Sequence, residues 1–358
     1  MSFNDRKLKK NKLSAMPEKE YNALIDLLYV QASSSNEKMI YHYLVNWLDE
    51  RDIEHYTDAI GNLIATKGKA EIYPCIASHM DTVHDIKDDF SVVYHNDKRD
   101  GNLILSAMSS DKQAGVGGDD KCGIFACLYM LENMDICKAV FFTQEEVGCV
   151  GSSDIDMKHF DNVGYIIQLD RWGSHDLICE YMGQDTVNND FLRIAKSIYK
   201  KYDYKSASGL ITDSINLWDM GVGVSCVNVS CGYYEHHSNS EYIDVNELWN
   251  SIVFTKDLVD KLGCNTYSSK PIKVKLDRFS YDCDIEDYQY KHKEIQHYDS
   301  DLFYDAIDWD VCDWKVLNSI LIESSLPADS IYDLDVNSYE AEMLEYEYRL
   351  RTNCNLLK

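Results

Sequence analysis

The sequence predicts an α/β layer fold with a mostly parallel, buried central sheet. Segments of helical periodicity alternate with segments of strand pattern from Tyr21 to Leu262, an order typical of α/β folds. Several predicted strands, such as Val163–Leu169, are nearly continuous apolar runs, as expected for strands covered on both faces. With 358 residues, of which 45% are hydrophobic, the chain can build one large core or two domains.

The predicted elements follow one another in a regular order. Two amphipathic helices come first, with apolar stripes at 21–28 and 40–48, and a capping-box pattern at Ser34–Glu37 introduces the second helix. Strands are predicted at 61–66, 72–77, 140–142, 163–169 and 224–229, a hairpin at 90–94 and 103–105, and further helices at 121–134, 191–199 and 248–262. Gly263 ends the last of these helices.

The chain is acidic, and its charged residues are unevenly distributed. The formal net charge is −26, and residues Asp277–Lys358 hold 20 acidic and 7 basic residues, a net of −13. Nucleic acids and anionic membranes bind clustered positive charge, so the composition argues against both as partners. No apolar run reaches membrane-spanning length and no signal peptide is recognisable, so we expect a cytoplasmic protein.

Twelve cysteines are scattered along the chain without a CxxC pair, and several lie inside apolar runs. This distribution predicts buried free thiols rather than a disulfide framework.

Histidines and carboxylates stand directly after several predicted strands. His79, Glu145, Asp170 and His237 each follow a strand, and ligands collect at the carboxyl ends of strands in such sheets. Two imidazoles and several carboxylates, with no cysteine among them, suit Zn²⁺, Co²⁺ or Mn²⁺. Two such ions a few ångströms apart can share a water, lower its pKa and polarise a carbonyl. The pattern therefore predicts a two-metal hydrolase.

Five motifs in order make the chain resemble the co-catalytic zinc exopeptidases of the M20, M28 and M42 families, and most of all the tripeptidase (peptidase T) branch of M20. They are HxD at His79–Asp81, DDK at Asp119–Lys121, EE with GxxGS at Glu145–Ser152, the lone Asp170, and HSxxE at His237–Glu241. The likeness covers roughly Tyr21 to Leu262. It implies the three-layer fold of these exopeptidases.

The resemblance also implies a role for each residue. Asp119 is expected to bridge two divalent ions, with His79 and Asp170 completing one site and Glu146 and His237 completing the other. Glu145 is expected to be the general base, and Asp81 to orient the imidazole of His79. The peptide bond between Asp119 and Asp120 is expected to be cis, as is frequent after the bridging aspartate of the family.

Some assignments stay open at the level of sequence. Asp120 and Lys121 could equally form an ordinary charged helix start. His236 competes with His237, which we favour because it precedes Glu241 by four positions. We expect His84 and His95 to be surface or loop histidines, and the Gly115–Gly118 run to provide backbone slack before Asp119 rather than a phosphate loop.

The chain also departs from the family pattern. Only 66 residues separate Asp170 from His237, and predicted elements already fill that interval, so a lid domain of the M20 type has no room. Only 37 residues separate Asp81 from Asp119, which leaves no room for the M42 insertion. We therefore expect a lidless catalytic domain at 1–264 and no lid-mediated dimer, while the oligomeric state stays open.

Residues 265–358 form an acidic, aromatic C-terminal extension, which we expect to fold against the catalytic domain because it carries many large apolar side chains. The resemblance implies a metal-dependent aminopeptidase or tripeptidase acting on short peptides. One alternative is an amidohydrolase that removes the acyl group of an N-acyl amino acid. Another is a catalytically silent scaffold whose C-terminal segment binds a partner.

Overall fold

The computed structural model describes residues 15–97 and 101–272. The helices are α1 Glu18–Leu28, α2 Lys38–Asp49, α3 Gly118–Asn133, α4 Val150–Asp154, α5 Asn189–Tyr202, α6 Asp213–Met220 and α7 Val245–Leu262, with a 3-10 helix at Met157–Phe160. The strands are β1 Glu54–Thr57, β2 Leu63–Lys67, β3 Tyr73–His79, β4 Ser91–Asn96, β5 Leu103–Ser109, β6 Lys112–Ala114, β7 Cys137–Phe142, β8 Val163–Arg171, β9 Asp176–Tyr181, β10 Gln184–Asp185, β11 Lys205–Gly209, β12 Ser225–Ser230, β13 Tyr233–Tyr234 and β14 Tyr242–Asp244.

A nine-stranded sheet forms the centre of the described chain. Its order is β1-β2-β7-β3-β8-β12-β9-β10, with β11 paired to β9. The four strands β7, β3, β8 and β12 run parallel, and antiparallel strands flank them on both sides. Strands β3, β7 and β12 are buried along their whole length. The prediction of a buried, mostly parallel central sheet is therefore confirmed.

Helices cover both faces of this sheet. Alternate residues of the same strand enter two different apolar clusters: Ile76 joins the larger one, whereas Cys75 and Ala77 join the smaller one. Residues of α1, α2, α3, α5 and α7 belong to the larger cluster, and residues of α6 and the 3-10 helix to the smaller. The result is the three-layer arrangement that the resemblance implied.

A second, five-stranded sheet joins two distant parts of the chain. It has the order β13-β14-β5-β4, with β6 paired to β5. The predicted hairpin is confirmed as β4 and β5, which pair antiparallel from Ser91–Met108 to Asn96–Leu103. Strand β14 pairs with β5 through Ile243 and Leu105. This small sheet, which the sequence analysis did not foresee, fixes residues 235–241 beside the segment that enters α3.

Between Asp170 and His237 the chain continues the central sheet. Strands β9 to β12 all belong to that sheet, and α5 and α6 lie within the same interval. The absence of a lid domain in this interval stays a prediction. The C-terminal extension from residue 273 onward, with its predicted folding against the catalytic domain, lies outside the described residues.

The capping-box prediction at Ser34–Glu37 is wrong. Helix α2 begins at Lys38, and no side-chain hydrogen bond caps its N-terminus. The hydroxyl of Ser34 instead donates to the Asp81 carboxylate at 2.7 Å, while Glu37 accepts from the hydroxyl of Thr143 at 3.0 Å. Both polar side chains are recruited by loops at the carboxyl edge of the sheet, which compete with local capping.

The described cysteines are free, and eight of nine are buried, with Cys264 exposed. For these residues the prediction of buried thiols is confirmed. In the described part of the chain no helix is both long and apolar enough to cross a bilayer.

Substituting Gly123 tests the tight packing of α3 on the sheet. A Cβ there would stand 2.3 Å from the Asp120 carboxylate and 2.6 Å from the carbonyl oxygen of Leu169. We expect Gly123→Ala to lower the free energy of unfolding by about 1–3 kcal/mol, the usual cost of overpacking. Denaturant unfolding measures it, with Lys196→Ala on the exposed side of α5 as the control. Equal stability of Gly123→Ala and the wild type would contradict the packing described here.

Candidate metal centre

The predicted site residues converge at one edge of the central sheet. His79 is the last residue of β3, Asp170 lies near the end of β8, and Glu145 follows β7. Because these neighbouring strands are parallel, their carboxyl ends meet at this edge. His237 does not follow β12 directly as predicted, since β13 intervenes and the histidine lies in the β13–β14 loop.

Asp119 and its neighbours form two clusters that share one carboxylate. In the first cluster, the Nε2 atom of His79 lies 3.1 Å from Oδ1 of Asp119 and 3.7 Å from Oδ1 of Asp170. In the second, Nε2 of His237 lies 3.4 Å from Oδ2 of Asp119 and 3.0 Å from Oε2 of Glu146. In each cluster all potential ligand atoms lie within 4.8 Å of one another. The two oxygens of Asp119 thus face two different groups.

The chemistry of these groups fits divalent cations. Two imidazoles and three carboxylates are a donor set for Zn²⁺ and its neighbours in the first transition row. Among the described residues, Oε1 of Glu146 is buried without a hydrogen-bond partner. A buried carboxylate oxygen without a partner is costly, and a bound cation would relieve that cost.

Without cations, the histidines carry the positive charge of the site. Burial alone would lower the pKa of His79, but its contacts with Asp119, Asp170 and Asp81 raise it well above the usual value. For His237, contacts with Asp119 and Glu146 outweigh burial and raise the pKa to about 11. In the metal-free protein, two imidazolium groups therefore balance part of the carboxylate charge.

Asp170 and Glu145 hold protons more strongly than carboxyl groups usually do. Burial, reinforced by the charge of Asp119, raises the pKa of Asp170 to about 7. Burial also raises the pKa of Glu145 well above its usual range, with Asp170 and Glu146 adding to the effect. Crowded carboxylates of this kind favour either protons or metal ions, since both remove the repulsion.

Asp81 connects His79 to the Glu145–Glu146 loop. Nδ1 of His79 lies 3.0 Å from the backbone oxygen of Asp81 and 3.4 Å from its Oδ1. The same carboxylate accepts backbone hydrogen bonds from Glu145 at 2.9 Å and from Glu146 at 3.3 Å. One buried side chain thus sets the orientation of the imidazole and the position of both glutamates.

The peptide between Asp119 and Asp120 is cis, as expected from the resemblance. Asp120 belongs to neither cluster, and its carboxylate accepts from the backbone of His79 at 3.2 Å and of Gly123 at 2.9 Å. Lys121 is only 3% exposed. The bond from Gly123, three residues later, is the one an acidic residue makes at a charged helix start, whereas the bond from His79 ties Asp120 to the end of β3, so Asp120 does both.

The structure separates the two adjacent histidines. His236 stacks on Trp172 with nearly parallel rings, whose centroids are 6.3 Å apart, whereas His237 turns its Nε2 toward Asp119 and Glu146. This arrangement agrees with the preference for His237.

Sequence reasoning missed the role of Glu241, which it used only to fix the position of the histidine. Glu241 is fully buried and accepts from the backbone of Gly117 at 2.6 Å and of Asp119 at 3.0 Å. Its Oε2 also lies 2.8 Å from Nε2 of His84, so this loop histidine is a partner of the site rather than a free surface group. The ring of His84 covers Gly115, where a Cβ would stand 2.0 Å from it. Gly115 is thus needed for close packing.

Two further partners of Asp170 were also missed. The hydroxyl of Tyr233 donates to its Oδ1 at 3.2 Å, and the amide of Gln168 donates to its Oδ2 at 3.1 Å. Gln168 lies two residues before Asp170 on β8, so it is on the same face of the sheet. The two-residue spacing of Gln168 and Asp170 is the one sequence feature that could have indicated either partner.

Comparisons with known proteins identify solved structures that share this fold. No protein-family model and no curated protein sequence matches the chain. Among solved structures, aminopeptidase PepT from Bacillus cereus aligns with a TM-score of 0.53 and 16% identity, covering 69% of this chain and 99% of that one. A tripeptidase from Staphylococcus aureus aligns with a TM-score of 0.56 and 13% identity, covering 68% and 98%. A TET aminopeptidase from a marine sediment archaeon aligns with a TM-score of 0.51 and 14% identity, covering 68% and 98%. At such low identities, these alignments establish a shared fold.

The crowded carboxyl groups predict a pH dependence for the metal-free protein. The pKa of Asp170 is about 7 in the folded state, compared with about 3.9 in unfolded chains, so the folded state binds more protons in between. Stability therefore rises as the pH falls through this window. The raised pKa of His237 acts in the same direction, because between the ordinary histidine pKa and about 11 the folded state keeps a proton that the unfolded chain has lost.

We expect the unfolding midpoint in chelator to be higher at pH 6 than at pH 8 by at least ~2–4 °C, equivalent to roughly 1 kcal/mol. Scanning fluorimetry at both pH values measures it. The zinc-saturated protein is the control and should show a smaller difference, because bound ions keep the carboxylates ionised. A metal-free protein that is more stable at pH 8 would contradict this view of the site.

Proposed function

We propose that the protein is a dinuclear metal-dependent exopeptidase that removes the amino-terminal residue of short peptides. The observation that carries the proposal is the position of Asp119, whose two carboxylate oxygens face two separate histidine-containing clusters. A single carboxylate shared in this way is suited to bridge two ions.

His79 and Asp170 would hold one ion and Glu146 and His237 the other, with Asp119 shared between them. Zinc suits this donor set best, and cobalt or manganese would also fit. Bound ions would supply a Lewis acid for the scissile carbonyl and lower the pKa of the attacking water.

The position of Glu145 supports the proposal that it moves the proton in this reaction. It belongs to neither ligand cluster, yet its Oε2 lies 3.9 Å from Nε2 of His79. Its other oxygen, Oε1, accepts from the thiol of Cys149 at 3.4 Å, which leaves Oε2 toward the clusters. The raised pKa of Glu145 suits a group that takes a proton from water and then delivers it to the leaving amine.

The fold shared with an aminopeptidase and a tripeptidase supports peptides as the substrate class. The same ion pair and base could also hydrolyse N-acyl amino acids, so a panel of aminoacyl and N-acyl substrates is needed to separate the two activities. The continuous central sheet between Asp170 and His237 supports a lidless catalytic domain, and hence the proposal that no lid-mediated dimer forms.

The first test of the proposal is metal content. We expect the purified, zinc-reconstituted protein to hold two ions per chain by elemental analysis, and chelation to abolish peptide hydrolysis until zinc is restored. The reason is that two complete donor sets are present. Fewer than one ion per chain, together with full activity in chelator, would contradict the proposal.

The two adjacent glutamates provide a sharper test. Glu145→Gln should retain both ions but lower kcat at least ~10²-fold, the usual contribution of a positioned general base. Glu146→Gln should instead lose one ion, because it removes a ligand. Elemental analysis and steady-state kinetics measure both effects, and Glu71→Gln, an exposed residue before β3, is the matched control. If Glu145→Gln lost an ion while Glu146→Gln kept both, the assignment within the pair would be reversed.

A further inference from the structure

A cavity of about 410 Å³ opens beside the candidate metal centre. His237–Asn239 line one side, Ala114–Gly117 another, and Thr82–Asp85 with Lys87 and Phe90 a third. Its size falls within the range of small-ligand sites. Because His237 belongs both to this cavity and to the second cluster, a molecule in the cavity would be adjacent to the metal centre.

Lys121 also lines this cavity, with its charge largely removed from solvent. The residue is 3% exposed, and its Nζ donates to the backbone oxygen of Leu28 at 3.1 Å. The ammonium approaches the cavity wall at Gly117, where a Cβ would stand 3.1 Å from Nζ. An ammonium has three N–H donors. Within residues 15–97 and 101–272, the ammonium has one hydrogen-bond acceptor, the Leu28 oxygen, and lies 5.9 Å from the centre of the Phe90 ring, while no carboxylate lies within ion-pair distance.

The other charged groups around the cavity already have partners. Glu241 accepts from Gly117 and Asp119 and pairs with His84. At the exposed rim, Lys87 pairs with Asp85 at 3.3 Å. Lys121 therefore differs from its neighbours in having donors left over, and a buried ammonium without a counter-charge is unfavourable unless a ligand supplies one.

We propose that Lys121 binds a carboxylate of the substrate in this cavity, on the leaving-group side of the scissile bond. The inference rests on the proposed peptidase function, which places the scissile amide at the metal centre. A cationic pocket would repel the free amino terminus, so the carboxyl end of the substrate enters the cavity and the amino end lies on the other side of the scissile bond. The carboxylate can come from the C-terminus of a short peptide or from an acidic side chain, and both have the same chemistry.

The experiment compares substrates that differ only in that charge. We expect wild-type protein to cleave Ala-Ala-Ala with a kcat/KM at least ~10-fold higher than its C-terminal amide, mainly through KM, the scale of a hydrogen bond to a charged group. Ala-Glu-amide against Ala-Gln-amide tests the side-chain source in the same way. Lys121→Met should reduce the acid-to-amide ratio to between about 1 and 3. Lys138→Met, a buried lysine bonded to His159 and Asn162 at the other end of β7, should leave it unchanged.

A wild-type protein that cleaves acids and amides equally would overturn the carboxylate site while leaving the peptidase proposal intact. A Lys121→Met protein that keeps the full preference would also overturn it. Calorimetric binding of Ala-Ala and its amide to zinc-loaded wild-type protein provides a readout that needs neither turnover nor a variant. Tighter binding of the acid supports the site even if no peptide is cleaved, whereas equal binding overturns it.

Discussion

The shared carboxylate of Asp119 constrains the rest of the site. Its two oxygens must face His79 on one side and His237 on the other, although these histidines come from β3 and from a distant loop. The backbone of Asp119 is held by hydrogen bonding to Glu241, four residues after His237. One buried glutamate thus fixes Asp119 and the loop that carries His237 relative to each other. A small displacement of either segment would separate the two clusters.

The scaffold supports this arrangement with buried polar groups rather than with apolar packing alone. Asp81 joins His79 to the loop of the two adjacent glutamates, and Asp120 ties the end of β3 to the start of α3. Each of these carboxylates accepts at least two hydrogen bonds, as buried charged groups require. The second sheet adds a geometric constraint, because β14 pairs with β5 and so brings residues 235–241 to the site.

Features that depend on local sequence pattern were predicted correctly, whereas features that depend on tertiary contacts were predicted wrongly or missed. The strand predicted at 72–77 followed from its apolar pattern, and the cis peptide at Asp119 from the family resemblance that the motifs carry. The capping box at Ser34–Glu37 failed because loops at the sheet edge offer these side chains better partners. The tyrosine bonded to Asp170, Tyr233, lies 63 positions away in sequence, and no local signal connects such a pair.

The electrostatics of the site and of the adjacent cavity are complementary. At the sheet edge, carboxylates outnumber imidazoles, so the clusters favour divalent cations. In the cavity, the ammonium of Lys121 retains free donors while the neighbouring carboxylate of Glu241 is already saturated. A short peptide carries a positive charge at one end and a negative charge at the other. The negative end of such a molecule would fit the cavity, which favours the orientation with its amino end on the far side of the metal centre.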